Sequence, residues 1–161
     1  MNGGQITAQD SIKRWADQLK AFFDRIAATA AESGWAATYS SKDIKEDPFS
    51  LGASVSYVAP VLVLKRLRGN PEAEQRVTFE PVHRFTILAA GRVDVYAHPT
   101  LREAMLLRTP DLTNSENLTW EEAEERVAHA PWSLYSSDRI PLKSDILVPN
   151  DLKSFLEDLT A

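Results

Sequence analysis

Cysteine is absent from the 161-residue chain. That excludes disulfides, thiolate nucleophiles and cysteine metal sites. Glycine is scarce, and none of the six residues falls in a GxGxxG or GxxxxGK(S/T) arrangement, so nucleotide loops of those kinds are not encoded. No GxSxG segment supplies a nucleophile elbow. Histidine is rarer still, with His83, His98 and His129 scattered along the chain. Long apolar runs are missing too: the longest, Val55 to Leu64, contains Ser56 and Pro60 and stops at Lys65-Arg66. It falls short of the roughly 20 residues that span a bilayer. The opening Met1-Asn2-Gly3-Gly4-Gln5 has neither the basic nor the apolar region of a secretory signal, and Asn2 departs from a myristoylation start. A cytoplasmic protein without membrane association is expected.

Positive charge is also in deficit. Eighteen Lys and Arg against 23 Asp and Glu leave a formal charge of -5. An acidic chain gains little from counterion release, which disfavours general nucleic-acid binding and favours solubility or a basic partner.

The chain does have enough apolar residues for one core. A hydrophobic fraction of 43% and a charged fraction of 25% are globular values, and the length suits a single domain over residues 1–161. Ile12, Trp15, Leu19, Phe22, Phe23, Ile26 and Ala30 recur at three- and four-residue steps, the period of one helix face. The spacing predicts a helix over about residues 8–33, on the order of 38 Å long, with Thr7 as cap and Gly34 as stop. Its one Trp and two Phe need cover. Packing across a sheet supplies it; a coiled-coil dimer would need more heptads than this helix offers.

Strand signals follow. Trp35–Ser40 reads as a short strand before a charged loop through Pro48. Ser54–Val58 alternates, Pro60 marks a bend, bulge or edge, and Val61–Leu64 reads as an interior strand. Gly69-Asn70-Pro71-Glu72 turns the chain into a hairpin of Val61–Arg68 with Gln75–Glu80, and Pro81 should separate or bulge the strand that follows.

A second hairpin is expected between Val82–Leu88 and Arg92–His98. A two-residue turn would set Phe85 opposite Tyr96 and His83 opposite His98. A three-residue turn with a left-handed Gly91 sets Ile87 against Val93, Phe85 against Val95 and His83 against Ala97, gathering the apolar side chains on one face. The second register is preferred, and it parts His83 from His98, removing the one pair of candidate metal ligands.

Leu101–Arg108 begins with a capping box, yet a strand suits it better because the sheet needs another member to cover the helix. Thr119-Trp120-Glu121-Glu122 opens a second helix before Pro131. Trp120, Ala123 and Val127 form its buried stripe, and its glutamates are read as a solvated face near the positive helix end. Residues 132–149 have room for a short strand or two. Pro149-Asn150 then introduces a last helix with Leu152, Phe155, Leu156 and Leu159 on one side. The expected fold is α+β: a curved, mainly antiparallel sheet of about five strands packed by the long N-terminal helix, with two smaller C-terminal helices, as a roll or two-layer sandwich.

No constellation encodes chemistry. A metal-dependent nuclease needs converging carboxylates, and Asp47, Glu80 and Lys65 have no such spacing. Neither a metal nor a cofactor is expected. The best candidate surface is the polar face of the second hairpin: Arg84, Thr86, Arg92, Asp94, Tyr96 and His98. It can be a solvated face, a recognition surface, since Arg and Tyr are favoured at interfaces, or an acid–base pocket of Asp94, Tyr96 and His98. Recognition points to a non-catalytic protein- or peptide-binding module of adaptor, chaperone or immunity type. The pocket points instead to a small enzyme or ligand binder, with its cavity between the long helix and the sheet.

Overall fold

The computed structural model describes residues 8–47, 54–69, 71–84, 90–111, 113, 115–136, 139–142 and 148–161. The first helix, α1 (Ala8–Ala31), buries its whole apolar stripe from Ile12 to Ala30. Gly34, at φ 87°, turns the chain left-handed, and the Trp35 N–H reaches back to the Ala30 carbonyl at 3.2 Å. Thr7 lies outside the described residues.

Among the described residues seven strands follow as an antiparallel meander in which each pairs with the next: β1 (Ala36–Glu46), β2 (Val55–Arg68), β3 (Ala73–His83), β4 (Arg92–His98), β5 (Glu103–Arg108), β6 (Trp132–Ser136) and β7 (Arg139–Leu142). The α+β architecture is the one expected, with the sheet extended by β6 and β7. Among the described residues two further α-helices, α2 (Trp120–Ala128) and α3 (Pro149–Thr160), and a short 3-10 turn at Ser115–Asn117 complete it. None of the described helices is long and apolar enough to cross a membrane.

Several sequence expectations are corrected. The charged stretch through Glu46 belongs to β1, because β2 is one continuous strand that offers it an unbroken ladder from Ala36↔Lys65 to Glu46↔Val55. Pro60 lies within that ladder opposite Ser41. On its other side the β2–β3 ladder stops at Leu62↔Phe79. Continued, that register would bring Pro60 against Pro81, and neither has an N–H to give. Beyond this point β1 and β2 run on as a ribbon. The buried side changes from Leu62 and Leu64 to Val55 and Ala59, as the stronger twist of a two-stranded ribbon allows.

The second hairpin is also different. The partner of β4 is β3, not Val82–Leu88: Phe79 faces Val95 and Val77 faces Ala97, while His83 faces Arg92 across a register shift after Pro81. Val77, Phe79 and Pro81 repeat the apolar alternation on which the expected register relied, and they extend a strand already paired with β2. Residues 85–89, including Thr86, lie outside the described residues. His83 and His98 stand at opposite ends of β4, since His98 faces Arg76.

The core lies between α1, flanked by α3, and one face of the sheet. Trp15, Leu19, Phe23, Ile26, Leu62, Phe79 and Val95 are all fully buried there. Each such aliphatic or Phe side chain contributes roughly 1.5–3 kcal/mol by its removal from water. Phe22 stacks on Trp132 with ring centroids 4.8 Å apart, and Trp132 stacks on Trp15 at 5.9 Å. At the other end of α1, Arg66 and Arg68 on β2 clasp Glu157 of α3 at 2.8 and 2.9 Å.

Candidate binding surface

Alternation in β4 sorts its residues as the sequence implies. Val93, Val95 and Ala97 are buried under the helices, whereas Arg92, Asp94, Tyr96 and His98 stand on the opposite face. Cross-strand register assembles that face into rows. Thr38, Val63, Thr78, Tyr96 and Glu103 form one row across five strands. Glu80, Asp94, Met105 and Tyr135 form the next. Lys65, Arg76 and His98 form a third. Among the described residues no helix covers this side.

Two clefts cut into the face and meet at Glu80 and Tyr96. One, about 450 Å³, is lined by Arg92, Asp94, Glu103, Met105 and Tyr135 as well as the shared pair. The other, about 420 Å³, lies over β1–β3 and adds Lys42, Lys65, Arg76 and a band of hydroxyls that includes Thr38 and Thr78. The ridge between them is tied down. The Tyr96 hydroxyl donates to Glu80 at 2.9 Å, and Lys42 reaches the other oxygen of Glu80 at 2.9 Å. The hydrogen bond from Lys42 holds the Glu80 carboxyl below its ordinary range; partial burial and then Glu80 itself push the Tyr96 phenol upward. Glu80 is therefore an anion at neutral pH and Tyr96 a protonated donor. Arg92 grips Asp94 through Nε at 2.8 Å and Nη2 at 3.2 Å.

Of the six candidate residues, these four share the open face and Thr86 lies outside the described residues. Arg84 is corrected. It is buried, with 6% of its surface accessible, and belongs to a polar cluster at the end of the sheet. Its Nη2 donates to buried Glu124 of α2 at 2.9 Å, and its backbone N–H donates to Glu46 at 3.0 Å. Ser11 of α1 donates to the same Glu124 oxygen, and Tyr57 donates to Glu46 at 2.5 Å. Glu124 is thus no part of a solvated glutamate face. It lies one turn before Val127 on the inward side, and the Arg84 cation accompanies it into the core.

Next to this cluster, Arg108 is buried on the inner face of β5. It donates through Nε and Nη2 to the Ala90 carbonyl at 3.2 and 3.0 Å and through Nη1 to the Gln18 amide oxygen. Its guanidinium lies 4.8 Å from the Trp15 ring centroid. Burial, and then the nearby Arg84 cation, pull its pKa well below the ordinary arginine value.

Asp94, Tyr96 and His98 do not border a cavity between α1 and the sheet, because that space is filled by the core and the three project from the other side. Among the described residues no cluster of acidic and histidine side chains is arranged to hold a metal. The β1–β3 and β5–β6 contributions to the open face were missed by the sequence reading of a single hairpin. The alternation of Arg76, Thr78 and Glu80, and of Glu103 and Met105, was the available signal. Comparison with protein-family models, curated proteins and solved structures finds no significant match.

Proposed function

We propose that this chain is a non-catalytic protein- or peptide-binding module, of adaptor, chaperone or immunity type, which engages its partner through the open face of the sheet. The observation that carries this reading is the segregation of the helices: α1 and α3 cover one side, and among the described residues the other is left with two confluent clefts meeting at Tyr96. Tyrosine, methionine and arginine are side chains that interfaces favour, and Tyr96, Tyr135, Met105, Arg92 and Arg76 stand together here. A cytoplasmic setting, without nucleic acid or cofactor, completes the proposal.

The test is quantitative affinity capture from the native host, followed by purification of each captured protein and direct titration. Support is a purified partner whose Kd rises tenfold or more with Tyr96→Ala and whose binding slows amide exchange in β4 and β5. Equal affinity for Tyr96→Ala and Met105→Glu, or protection confined to the helices, would overturn the proposal.

A second reading, a ligand binder or small enzyme, draws on the volume of the acidic cleft. About 450 Å³ falls within the usual small-molecule range, roughly 300–1,000 Å³. A small molecule that co-purifies with the wild type and is lost with Tyr96→Ala would favour it.

A further inference from the structure

Resting on that reading of the open face, we infer that its partner segment is an extended polypeptide with an acidic side chain at one end and a basic side chain about four or five residues away. The two clefts have opposite electrostatic character. Over β1–β3, Lys42, Lys65 and Arg76 stand among hydroxyl groups; over β4–β6, Asp94 and Glu103 outnumber Arg92 beside Tyr96, Met105 and Tyr135, and Glu80 of β3 borders both clefts.

Most of these charges are already matched: Lys42 with Glu80, Arg92 with Asp94, and Arg76 with Glu74, the last at 2.9 Å. Among the described residues Lys65 and Glu103 form no close ion pair, Lys65 acting on exposed Glu74 only at longer range, so each cleft keeps one charge within reach of a visitor. The aromatic and thioether walls around Glu103 suit the alkyl stem and cation of a Lys or Arg. The hydroxyls beside Lys65 suit a carboxylate.

Spacing sets the length. Lys65 on β2 and Glu103 on β5 are three strand intervals apart, about 14 Å, and their rows are offset by two residues, about 7 Å along the strands. The diagonal, about 16 Å, matches four or five residues of extended chain at about 3.3 Å each. Such a segment crosses the strands obliquely and passes Tyr96 about three quarters of the way towards Glu103, one strand short of it.

The experiment pans a phage-displayed library of random dodecapeptides against the full chain, in parallel with Lys65→Glu and Glu103→Lys. Thermal unfolding confirms that each variant is folded. The wild type should enrich peptides with an acid and a base four or five residues apart. Glu103→Lys should lose the basic position and keep the acidic one, and Lys65→Glu should do the converse. Each reversal should weaken a selected wild-type peptide about tenfold in calorimetric titration. No enrichment, or the same peptides from all three proteins, overturns the inference. A Tyr96→Ala arm separates the two proposals. Peptides that need Tyr96 but ignore both charges overturn only the charge spacing, whereas peptides indifferent to Tyr96 as well count against the open face itself.

Discussion

Gly91 lies against the indole of Trp15 so closely that a Cβ there would sit 2.6 Å from both Cη2 and Cζ3 of the ring. The largest side chain of the helix stripe therefore packs on bare backbone at the start of β4. The positive φ of Gly91, 152°, adds a second demand that only glycine meets without strain.

Gly91→Ala should accordingly destabilise the protein by roughly 2–3 kcal/mol, as overpacking and backbone strain combine. Trp15→Phe removes the colliding ring edge. In the Trp15→Phe/Gly91→Ala double variant the loss should be smaller than the sum of the single losses. Urea unfolding of the four proteins measures the coupling.

Arg84 and Glu124 are a buried ion pair, 2.9 Å apart, linking the end of β3 to α2. Removing one partner leaves a charge in a poor solvent, so Glu124→Leu should cost roughly 3 kcal/mol. Arg84→Met/Glu124→Leu removes both charges and should cost clearly less than Glu124→Leu alone. A double variant as unstable as the single one would show that the pair does not act as a unit.

Adjacent residues on β4 should behave as opposites. Val95 is fully buried, and Val95→Ala should cost about 2 kcal/mol. Tyr96 is 38% exposed on the far face, and Tyr96→Ala should cost less than about 1 kcal/mol. Chemical denaturation of the two variants checks the register directly, since a slip of one residue would exchange the two results.

Acid should loosen the contact between α3 and β2. Hydrogen bonding from Arg66, and then from Arg68, holds the Glu157 carboxyl below its ordinary value of 4.5. A folded-state pKa below the unfolded value means the contribution is complete at neutral pH and lost as pH falls through the folded pKa. Glu157 is partly solvated, so Glu157→Gln should lower stability at pH 7 by less than about 1 kcal/mol, a Tm shift of roughly 2 °C. Near pH 3 the difference should shrink, which melting curves at the two pH values would show.

Much of the fold is legible in the chain itself because local periodicity carries it. The helix stripe from Ile12 to Ala30, the alternation of β4, the turn at Gly69 and the last helix after Pro149 each follow from side-chain spacing within one element. Two of the open-face rows were half visible for the same reason, as polar residues alternating along β3 and β4.

Partnership between elements is where local spacing ran out. Phe79 and Phe85 both offered an apolar face to Val95, and spacing could not choose between them. The continuing ladder from β2 chose Phe79, which moved Arg84 off the polar face. Nor can a run of glutamates declare which member turns inward; Glu124 is buried because Arg84 and Ser11, from distant parts of the chain, meet it there. Sequence alone determined the long helix, the last helix and which side of β4 is greasy, since those are short-range preferences of the backbone and of water. Only tertiary packing decided strand partners, the burial of charged pairs and the union of two clefts at Tyr96, because those depend on contacts between segments far apart in the chain.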